Sequence, residues 1–379
     1  MTFDKKTYDA LGVTAEIATF APEGKTAEHH VMLHVEAQGE TFFGQLQRLL
    51  EAEAVICGEG SLIGSHVVYK RYFCTDAANQ AQLIPNDEEC IIGIIQQPLL
   101  DGSKIAVWMY LQDAEDTELR NGTMTVKNNG YEHLWTMGML TPDGNSFEQT
   151  KTLLENYEQM LKEKDATIAD NCIRTWFFVR DVDIQYHGMV EARKENFNRN
   201  GLTKDTHYIS STGICGTPPC TTSIIMLDAY AMTGFKPEQQ SYLYAKTHLN
   251  PTIEYGVTFE RGTKVEFGDR SHIYISGTAS IDNKGEVVHI GDIRRQTLRM
   301  WENVEKLLEE GNATFNDVAQ IIVYLRDMGD YDVVRKMFKE KFPDTPFVIT
   351  SAPVCRPTWL IEMECMAVTP EGNSEYKDF

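Results

Sequence analysis

The sequence predicts an α+β fold built from similar repeats within one chain. Two stretches share Gln, Thr, Glu, Asn, Glu and Leu in register and place apolar residues at helical spacing, QTKTLLENYEQML (149–161) and QTLRMWENVEKLL (296–308). A short apolar strand that contains a glycine precedes each of them, LWTMGML (134–140) and IYISGTA (273–279). Because strand and helix recur together, the two regions are predicted to be copies of one structural unit.

The later elements of each unit follow the same order. Strands that close on Arg-Asp come next, IRTWFFVRD (173–181) and IIVYLRD (321–327), and a second amphipathic helix follows each. A short segment and a last apolar strand complete the units, SIIMLDAYAM (223–232) and LIEMECMAV (360–368). Each unit is therefore predicted as strand, helix, strand, helix, strand, over roughly 100 residues, the size of a small domain.

A fainter third copy is predicted at the front of the chain. Its first helix, middle strand and last strand are FFGQLQRLLEAEAV (42–55), HVVYKRYFCTD (66–76) and SKIAVWMYLQ (103–112). Three such open sheets can close around a pseudo-threefold axis into a barrel-like core with the helices outside. The alternative architecture is two α+β domains with an unrelated N-terminal cap. The predicted bounds are a divergent repeat at 1–120, a second repeat at 121–232, a connector at 233–254 and a C-terminal repeat at 255–379.

Composition narrows the classes of partner. The 379 residues hold 35 Lys and Arg against 56 Asp and Glu, a formal charge of −21, so the surface as a whole repels nucleic acids and anionic membranes. No stretch approaches the roughly 18 uninterrupted apolar residues of a membrane helix. The start, MTFDKKTYDALG, lacks the apolar run of a signal peptide, and a cytoplasmic location is therefore expected.

Sequence motifs for metals and common cofactors are missing. The eight cysteines form no CxxC pair and no zinc-ligand spacing, and there is no glycine-rich phosphate loop, HExxH or GxSxG. We therefore expect no metal and no organic cofactor. A small anionic metabolite would have to be held by arginines gathered in a cleft, for which the candidates are Arg174, Arg193, Arg261 and Arg356.

Two acidic residues stand out in the last predicted strand. Side chains alternate across a strand, so Glu362 and Glu364 share one face while the intervening positions are apolar. At the first of these two positions, the middle copy has Met226 and the front copy has Ala106. A solvated sheet edge, the alternative explanation, would tolerate charge in every copy. The acid in one copy alone therefore favours Glu362 as a residue of a pocket.

Several motifs of the C-terminal copy resemble the Rid/YjgF superfamily, also called endoribonuclease L-PSP. They include YISGTASID, VYLRDMGDYDVV and IEMECMAV. Within that superfamily, EQQSYLYAK, YGVTFERG, SGTASI and VCRPTWLIEME are similar to the chorismatases, and the resemblance covers most of residues 130–370. It implies fused Rid/chorismate-mutase-like repeats, a monomer that mimics a trimer, and ligand pockets between the copies. Further self-association is left open.

The resemblance implies a hydrolase that acts on an activated double bond in a small carboxylate, such as the enolpyruvyl ether of chorismate. The alternatives are a Rid-type imine or enamine deaminase and a metabolite-binding protein without turnover. Three departures bear on the choice. The stretch PFVIT (346–350) lacks the arginine of Rid deaminases, residues 282–284 replace a Val-Gly-His segment of the chorismatases, and Phe177 and Phe178 replace their Asn-Tyr.

The predicted site combines an acid with an anion clamp. Glu362 and Glu364 are the catalytic candidates, because a neighbouring carboxylate raises a pKa and keeps a proton available near neutral pH. Arg356 is suited to bidentate recognition of a carboxylate, and Arg174 is a second clamp or a structural ion pair. The remaining predicted substrate-binding residues are Arg193, Cys355 (a small thiol rather than a nucleophile), Ser276, Gly277 and Tyr255.

Overall fold

A computed structural model describes residues 1–379, apart from the side chain of Tyr255. The first repeat is a six-stranded sheet with the order β1-β2-β3-β6-β4-β5. Its strands are β1 (Thr2–Tyr8), β2 (Val13–Phe20), β3 (Glu28–Val35), β4 (His66–Cys74), β5 (Ile91–Gln96) and β6 (Ile105–Gln112). Helix α1 (Phe42–Cys57) and the single turn α2 (Ala77–Gln80) belong to the same repeat.

The second repeat forms a sheet with the order β11-β10-β12-β9-β8-β7. Its strands are β7 (Asp116–Arg120), β8 (Thr123–Asn128), β9 (Tyr131–Leu140), β10 (Cys172–Val179), β11 (Ser210–Cys215) and β12 (Ile225–Thr233). Its helices are α3 (Ser146–Lys162), α4 (Ile168–Asn171) and α5 (Val182–Arg199). Helix α3 begins at a capping box, in which Asn145 and Glu148 satisfy each other's backbone N–H groups.

The third repeat forms a sheet with the order β13-β14-β15-β18-β16-β17. Its strands are β13 (Gln240–Leu243), β14 (Gly262–Glu266), β15 (Ser271–Ala279), β16 (Val318–Leu325), β17 (Phe347–Ser351) and β18 (Ile361–Thr369). Its helices are α6 (Ile293–Glu310), which begins at the cap Asp292, and α7 (Tyr331–Lys341). The stretch 233–254, expected to be a connector, thus contains β13, which extends this sheet.

The common strand order confirms three fused α+β repeats, and the alternative of an unrelated N-terminal cap is wrong. The predicted five-element unit needs a correction, because each repeat opens with a meander of three antiparallel strands. In the first repeat a second long helix is absent. There the chain forms only α2, a helix of four residues, between β4 and β5.

The three repeats contact one another in a cycle. Strand β5 packs beside β9, β11 packs beside β15, and β16 packs beside β2 and β3. One apolar core includes buried side chains of all three sheets, among them Trp108, Trp176 and Tyr324. Helices α1, α3 and α5 bury their apolar stripes in two further clusters. Among the described residues, no helix has the length and apolar content that a membrane crossing requires.

Strand β18 lies in the middle of its sheet, between β15 and β16. Glu362 and Glu364 are two residues apart in β18 and lie on one face of it, as predicted. The alternative of a solvated sheet edge is wrong. Both side chains are buried, with 5% and 1% of their surface exposed. Burying a carboxylate is costly unless it is paired or protonated, so each of these residues requires a physical explanation.

Candidate functional site

A cavity of about 500 Å³ lies between the second and third repeats. Helix α5 and strand β11 of the second repeat line one side. Strands β15 and β18 and the segments 256–261 and 355–359 of the third repeat line the other. The position agrees with a pocket shared by two copies, as the family resemblance implied.

Hydrogen bonds between Ser276 and Gly277 of one repeat and β11 of the other hold the two repeats together at the base of the cavity. The pairing of β15 with β18 shifts register between Ile275 and Thr278, and this bulge contains Ser276 and Gly277. Ser276 Oγ accepts a hydrogen bond from Ser211 N at 2.9 Å. Gly277 N donates to Thr212 Oγ1, also at 2.9 Å.

Gly277 also makes room for Glu362. A Cβ atom built at this position would overlap Glu362 Oε1 and lie 2.9 Å from its Cδ, distances too short for any real side chain. A glycine here lets the carboxyl group of Glu362 lie against the backbone of β15. The close packing of Gly277 therefore places the acid at the cavity wall.

Glu362 is a buried carboxyl group whose pKa is raised above its usual range. It lines the cavity, and only 5% of its surface is exposed. Burial and the charge of Glu364 raise the pKa of Glu362 to about 8, although Arg261 and Arg174 act in the opposite direction. A carboxyl group in this state can donate a proton to a ligand.

Glu364 lies behind Glu362 and is held as part of an ion pair. Trp176 Nε1 donates to Glu364 Oε1 at 2.6 Å, and Arg174 Nη2 donates to Glu364 Oε2 at 3.0 Å. The same Arg174 nitrogen donates to Thr212 Oγ1 at 2.6 Å. Neither Glu364 nor Arg174 is part of the described cavity wall. Of the two roles considered for Arg174, a carboxylate clamp or a structural ion pair, the geometry matches the ion pair.

Three other arginines line the cavity. Arg193 and Arg261 are buried, and both guanidinium groups lie within 6 Å of the Phe259 ring, at 5.9 and 5.6 Å. Arg193 Nη1 donates to Ser211 Oγ at 3.3 Å, and Arg261 Nη2 donates to the carbonyl oxygen of Asn250 at 3.1 Å. These contacts orient two positive charges beside the cavity.

Arg356 lies at the rim of the cavity and is half-buried. Its guanidinium group is 4.7 Å from the ring centroid of Trp359, and Nη1 donates to the carbonyl oxygen of Gly285 at 3.4 Å. Stacking on an aromatic face fixes the plane of a guanidinium group. The arrangement is compatible with recognition of an anionic group that enters the cavity.

Cys355 lines the cavity with its thiol protonated. Burial raises the pKa of Cys355 to about 12, which leaves little thiolate at neutral pH. A protonated thiol is a poor nucleophile, and the role of Cys355 as a small thiol in the site stays a prediction. Tyr255, the last residue of the predicted set, has a side chain outside the described part of the chain.

The residues that differ from the chorismatase motifs lie in the buried core and in an exposed turn. Phe177 and Phe178 are fully buried, and their rings lie 5.6 Å from the guanidinium of Arg193 and 5.3 Å from that of Arg71. Asp282 belongs to an exposed turn, where Oδ1 accepts from the backbone N–H groups of Lys284 and Glu286 at 2.9 Å each. Neither the two phenylalanines nor residues 282–284 are part of the described cavity wall.

Sequence reasoning missed Tyr186 and gave Thr212 no role of its own. Tyr186 lies on α5 between two other lining residues, Val182 and Val190. The spacing of four residues along one helical face was a usable signal, because such positions point the same way. Thr212 is identified only by tertiary contacts, which the sequence does not display.

The other two repeats lack an acid at the position of Glu362. The corresponding residues are Ala106 and Met226, and both are buried in the shared core. Each of them lies two positions before the counterpart of Glu364, namely Trp108 and Asp228. The cavity between the second and third repeats is therefore chemically distinct from the other two contacts between repeats.

Comparison with known proteins shows similarity to one family model and to members of the RutC family. The family model for endoribonuclease L-PSP matches residues 265–369. A RutC family protein of Pyrococcus abyssi is 38% identical over 98 residues, which are 25% of this chain and 76% of that protein. The 3-aminoacrylate deaminase RutC of Acinetobacter baylyi is 32% identical over 72 residues, which are 19% of this chain and 57% of that protein.

A crystal structure of a chorismatase has the same overall architecture. It superposes with a TM-score of 0.64 at 18% sequence identity, and the match covers 82% of this chain and 96% of that one. At this identity the likeness concerns the fold alone. It extends over most of the chain, whereas the family model matches only the third repeat.

Proposed function

We propose that this chain, which belongs to the endoribonuclease L-PSP family, hydrolyses an activated carbon–carbon double bond in a small carboxylate without a metal or organic cofactor. The substrate class that we favour is an enolpyruvyl ether of the chorismate type. The single observation that carries the proposal is Glu362, a buried acid with a raised pKa on the wall of a cavity that three arginines also line.

The reaction requires a proton on carbon. Glu362 donates its proton to the terminal CH₂ of the enol ether, and the electron pair of the double bond forms the new C–H bond. Water adds to the resulting oxocarbenium ion and loses a proton, which restores the acid. The hemiketal then expels the alcohol, so that one enolpyruvyl ether and one water give pyruvate and an alcohol.

The arginines supply the attraction for an anion. The formal charge of the chain is −21, so a carboxylate approaching the molecule meets a repulsive overall field. Arg193, Arg261 and Arg356 place three guanidinium groups on the cavity wall, where a carboxylate gains charge-assisted hydrogen bonds. Binding therefore depends on this local group of cations.

The second candidate is deamination of an enamine carboxylate, which the similarity to the 3-aminoacrylate deaminase RutC favours. An enamine also needs a proton on its β-carbon before water adds to the carbon that bears nitrogen, so Glu362 could serve both reactions. Against this candidate, residues 346–350 provide no arginine of the kind that clamps the carboxylate in Rid deaminases.

Incubation with chorismate tests the proposal, with pyruvate measured by a coupled assay and Glu362→Gln as the control. Pyruvate release by the unmodified chain, and not by Glu362→Gln, supports enol ether hydrolysis. Ammonia release from an enamine carboxylate, without pyruvate from chorismate, would move the assignment to deamination. Saturable chorismate binding with neither product would identify a binding protein and overturn the proposal.

The pH dependence of kcat/KM follows from the proton on Glu362. The pKa of about 8 lies above the usual range of a glutamic acid, so the acid is loaded at neutral pH and loses its proton as the pH rises through that value. We expect activity to fall on the basic side of about pH 8. A profile that instead lost activity below pH 6 and rose above pH 8 would contradict a protonated catalyst.

Arg356→Ala is expected to weaken substrate binding, because a carboxylate loses a charged hydrogen-bond partner worth about 1.5–3 kcal/mol. This corresponds to an increase in Kd of about 10- to 100-fold, measured by calorimetric titration. Arg199→Ala is the matched control, since Arg199 lies at the far end of α5 and is half exposed. Equal affinities of the two variants would remove Arg356 from the site.

A further inference from the structure

We propose that a second cavity, where the third and first repeats adjoin, binds the phosphate group of a small molecule. This cavity has a volume of about 180 Å³. Helix α7 and strand β17 of the third repeat line one side, and strands β1, β2 and β3 with Leu99 and Asp101 of the first repeat line the other. Its wall shares no residue with the cavity that contains Glu362, so the proposal does not depend on the proposed reaction.

Positive charge is in excess on the wall of the second cavity. Four of its residues are basic and two are acidic. They are Lys5, His34, Arg335, Lys339, Glu16 and Asp101. With His34 protonated, the wall has a surplus of two positive charges, in a chain whose formal charge is −21. Such a local surplus attracts an anion against the repulsion of the molecule as a whole.

Glu16 is already paired with two of the basic side chains. Lys5 Nζ donates to Glu16 Oε1 at 2.8 Å, and His34 Nε2 lies 3.5 Å from Glu16 Oε2. Burial lowers the pKa of His34, but the hydrogen bond and the charge of Glu16 outweigh burial and raise the pKa above its usual value. Burial in turn raises the pKa of Glu16, whereas His34 and Lys5 lower it to about 2. Glu16 is therefore charged and occupied by these two cations.

The other two basic residues extend from one face of α7. Tyr331, Arg335 and Lys339 follow one another at intervals of four residues, so they lie on the same side of the helix. Among the described residues, no carboxylate pairs with Arg335 or Lys339. Burial and the charges of Arg335 and Lys5 lower the pKa of Lys339, which shows that cations are close together here. An anion between them would relieve this repulsion.

Strand β17 adds a backbone donor. It is the outermost strand of its sheet, and three successive residues, 347–349, line the cavity, so the backbone edge rather than one row of side chains faces it. Phe347 N donates to Glu16 Oε2 at 3.3 Å. Ser351 N donates to the carbonyl oxygen of Pro98 at 2.8 Å. N–H groups two residues apart in a strand point the same way, so Ile349 N points out of the same edge.

This set of donors suits a phosphate group. A guanidinium group can donate to two phosphate oxygens at once, and a lysine adds a second charge. A phosphate monoester has about two negative charges near neutral pH and three strong acceptor oxygens, which match the surplus of two charges. A single carboxylate would neutralise only half of it. Ala106, the counterpart of Glu362 in the first repeat, is not part of the wall, so we expect binding here without a reaction.

Calorimetric titration of the whole chain with inorganic phosphate and with glycerol phosphate tests the proposal. We expect saturable binding. Tighter binding of glycerol phosphate would identify the ligand as a phosphorylated metabolite, and tighter binding of inorganic phosphate would identify it as the free ion. If neither compound bound saturably, the proposal would be overturned. Tighter binding of malonate than of both phosphates would also overturn it, in favour of a dicarboxylate.

The double variant Arg335→Gln with Lys339→Gln locates the bound phosphate. Both side chains are exposed, so the fold should be retained, and the loss of two charged donors should raise the Kd at least about tenfold. Lys336→Gln with Lys341→Gln is the matched control, because it removes two positive charges from the same helix outside the cavity wall. Equal losses in the two double variants would reflect only the general charge of α7 and would contradict a built site.

Arg356→Ala distinguishes the two cavities. Phosphate bound among the arginines near Glu362 would lose affinity in this variant and keep it when only α7 is changed. We expect the opposite pattern, with affinity retained in Arg356→Ala. The titration uses no chorismate, so its outcome is independent of the proposed hydrolysis. Phosphate binding without pyruvate release would leave only the proposed reaction wrong, and pyruvate release without phosphate binding would leave only the second site wrong.

Discussion

Glu362→Gln is expected to lower turnover by about 10²- to 10⁴-fold, the usual contribution of general acid catalysis. Glutamine keeps the size of the side chain but has no proton to give to carbon. Affinity for the ligand should survive, because the guanidinium groups of Arg193, Arg261 and Arg356 are untouched. Single-turnover kinetics and a calorimetric Kd measure the two quantities separately.

Glu191→Gln is the matched control for this variant. Glu191 also lines the cavity, so the substitution removes a carboxylate from the same surroundings without touching the buried acid. The control should retain most of its turnover. If Glu362→Gln left turnover and affinity as they are in the unmodified chain, Glu362 would lose its catalytic role.

Arg174→Met is expected to lower the free energy of unfolding by about 3–5 kcal/mol, the cost of leaving a buried charge without its partner. Glu364 would keep the indole N–H of Trp176 but lose the guanidinium group that balances its charge. Methionine fills much of the volume of the arginine stem, so the loss should come from charge rather than from a cavity. Urea unfolding at neutral pH measures the effect.

The double variant Arg174→Met with Glu364→Gln is the control. A glutamine at 364 still accepts the hydrogen bond from Trp176 and carries no charge that needs a partner, so much of the lost stability should return. If the double variant were less stable than Arg174→Met alone, the destabilisation would have to be attributed to packing. The contacts of Arg174 with Thr212 and the Trp176 ring would then be the relevant ones.

Much of the fold could be predicted because helices and strands recur in a fixed order. The helices at 149–161 and 296–308 lie inside α3 and α6, and their caps begin a few residues earlier. The meanders that open the repeats were missed for a physical reason. Strand β1, TFDKKTY, is a largely exposed edge strand, so its residues carry little of the apolar alternation from which strands are predicted.

The alternation of side chains along a strand placed Glu362 and Glu364 on one face, but it could not show that their surroundings differ. One lies against Gly277 at the cavity, and the other is bonded to Trp176 and Arg174 of another repeat. Trp176 and Arg174 belong to the sheet of the second repeat, and the sequence does not show that this sheet lies beside β18. For the same reason the contacts of Arg71 could not be predicted, since those with Asp228 and Trp176 bridge more than a hundred residues of chain.

Covalent fusion of the repeats changes what a single substitution can do. In an assembly of three identical subunits, an acid introduced at the position of Glu362 would appear three times, and every interface would have to accommodate its burial. Here the same position holds glutamate once, methionine once and alanine once. A single gene with three internal copies can therefore specialise one interface for chemistry while the other two evolve for packing. A mutation in the fused chain changes one interface and leaves the other two as they were. Selection can therefore act on reactivity at one interface and on stability at the others.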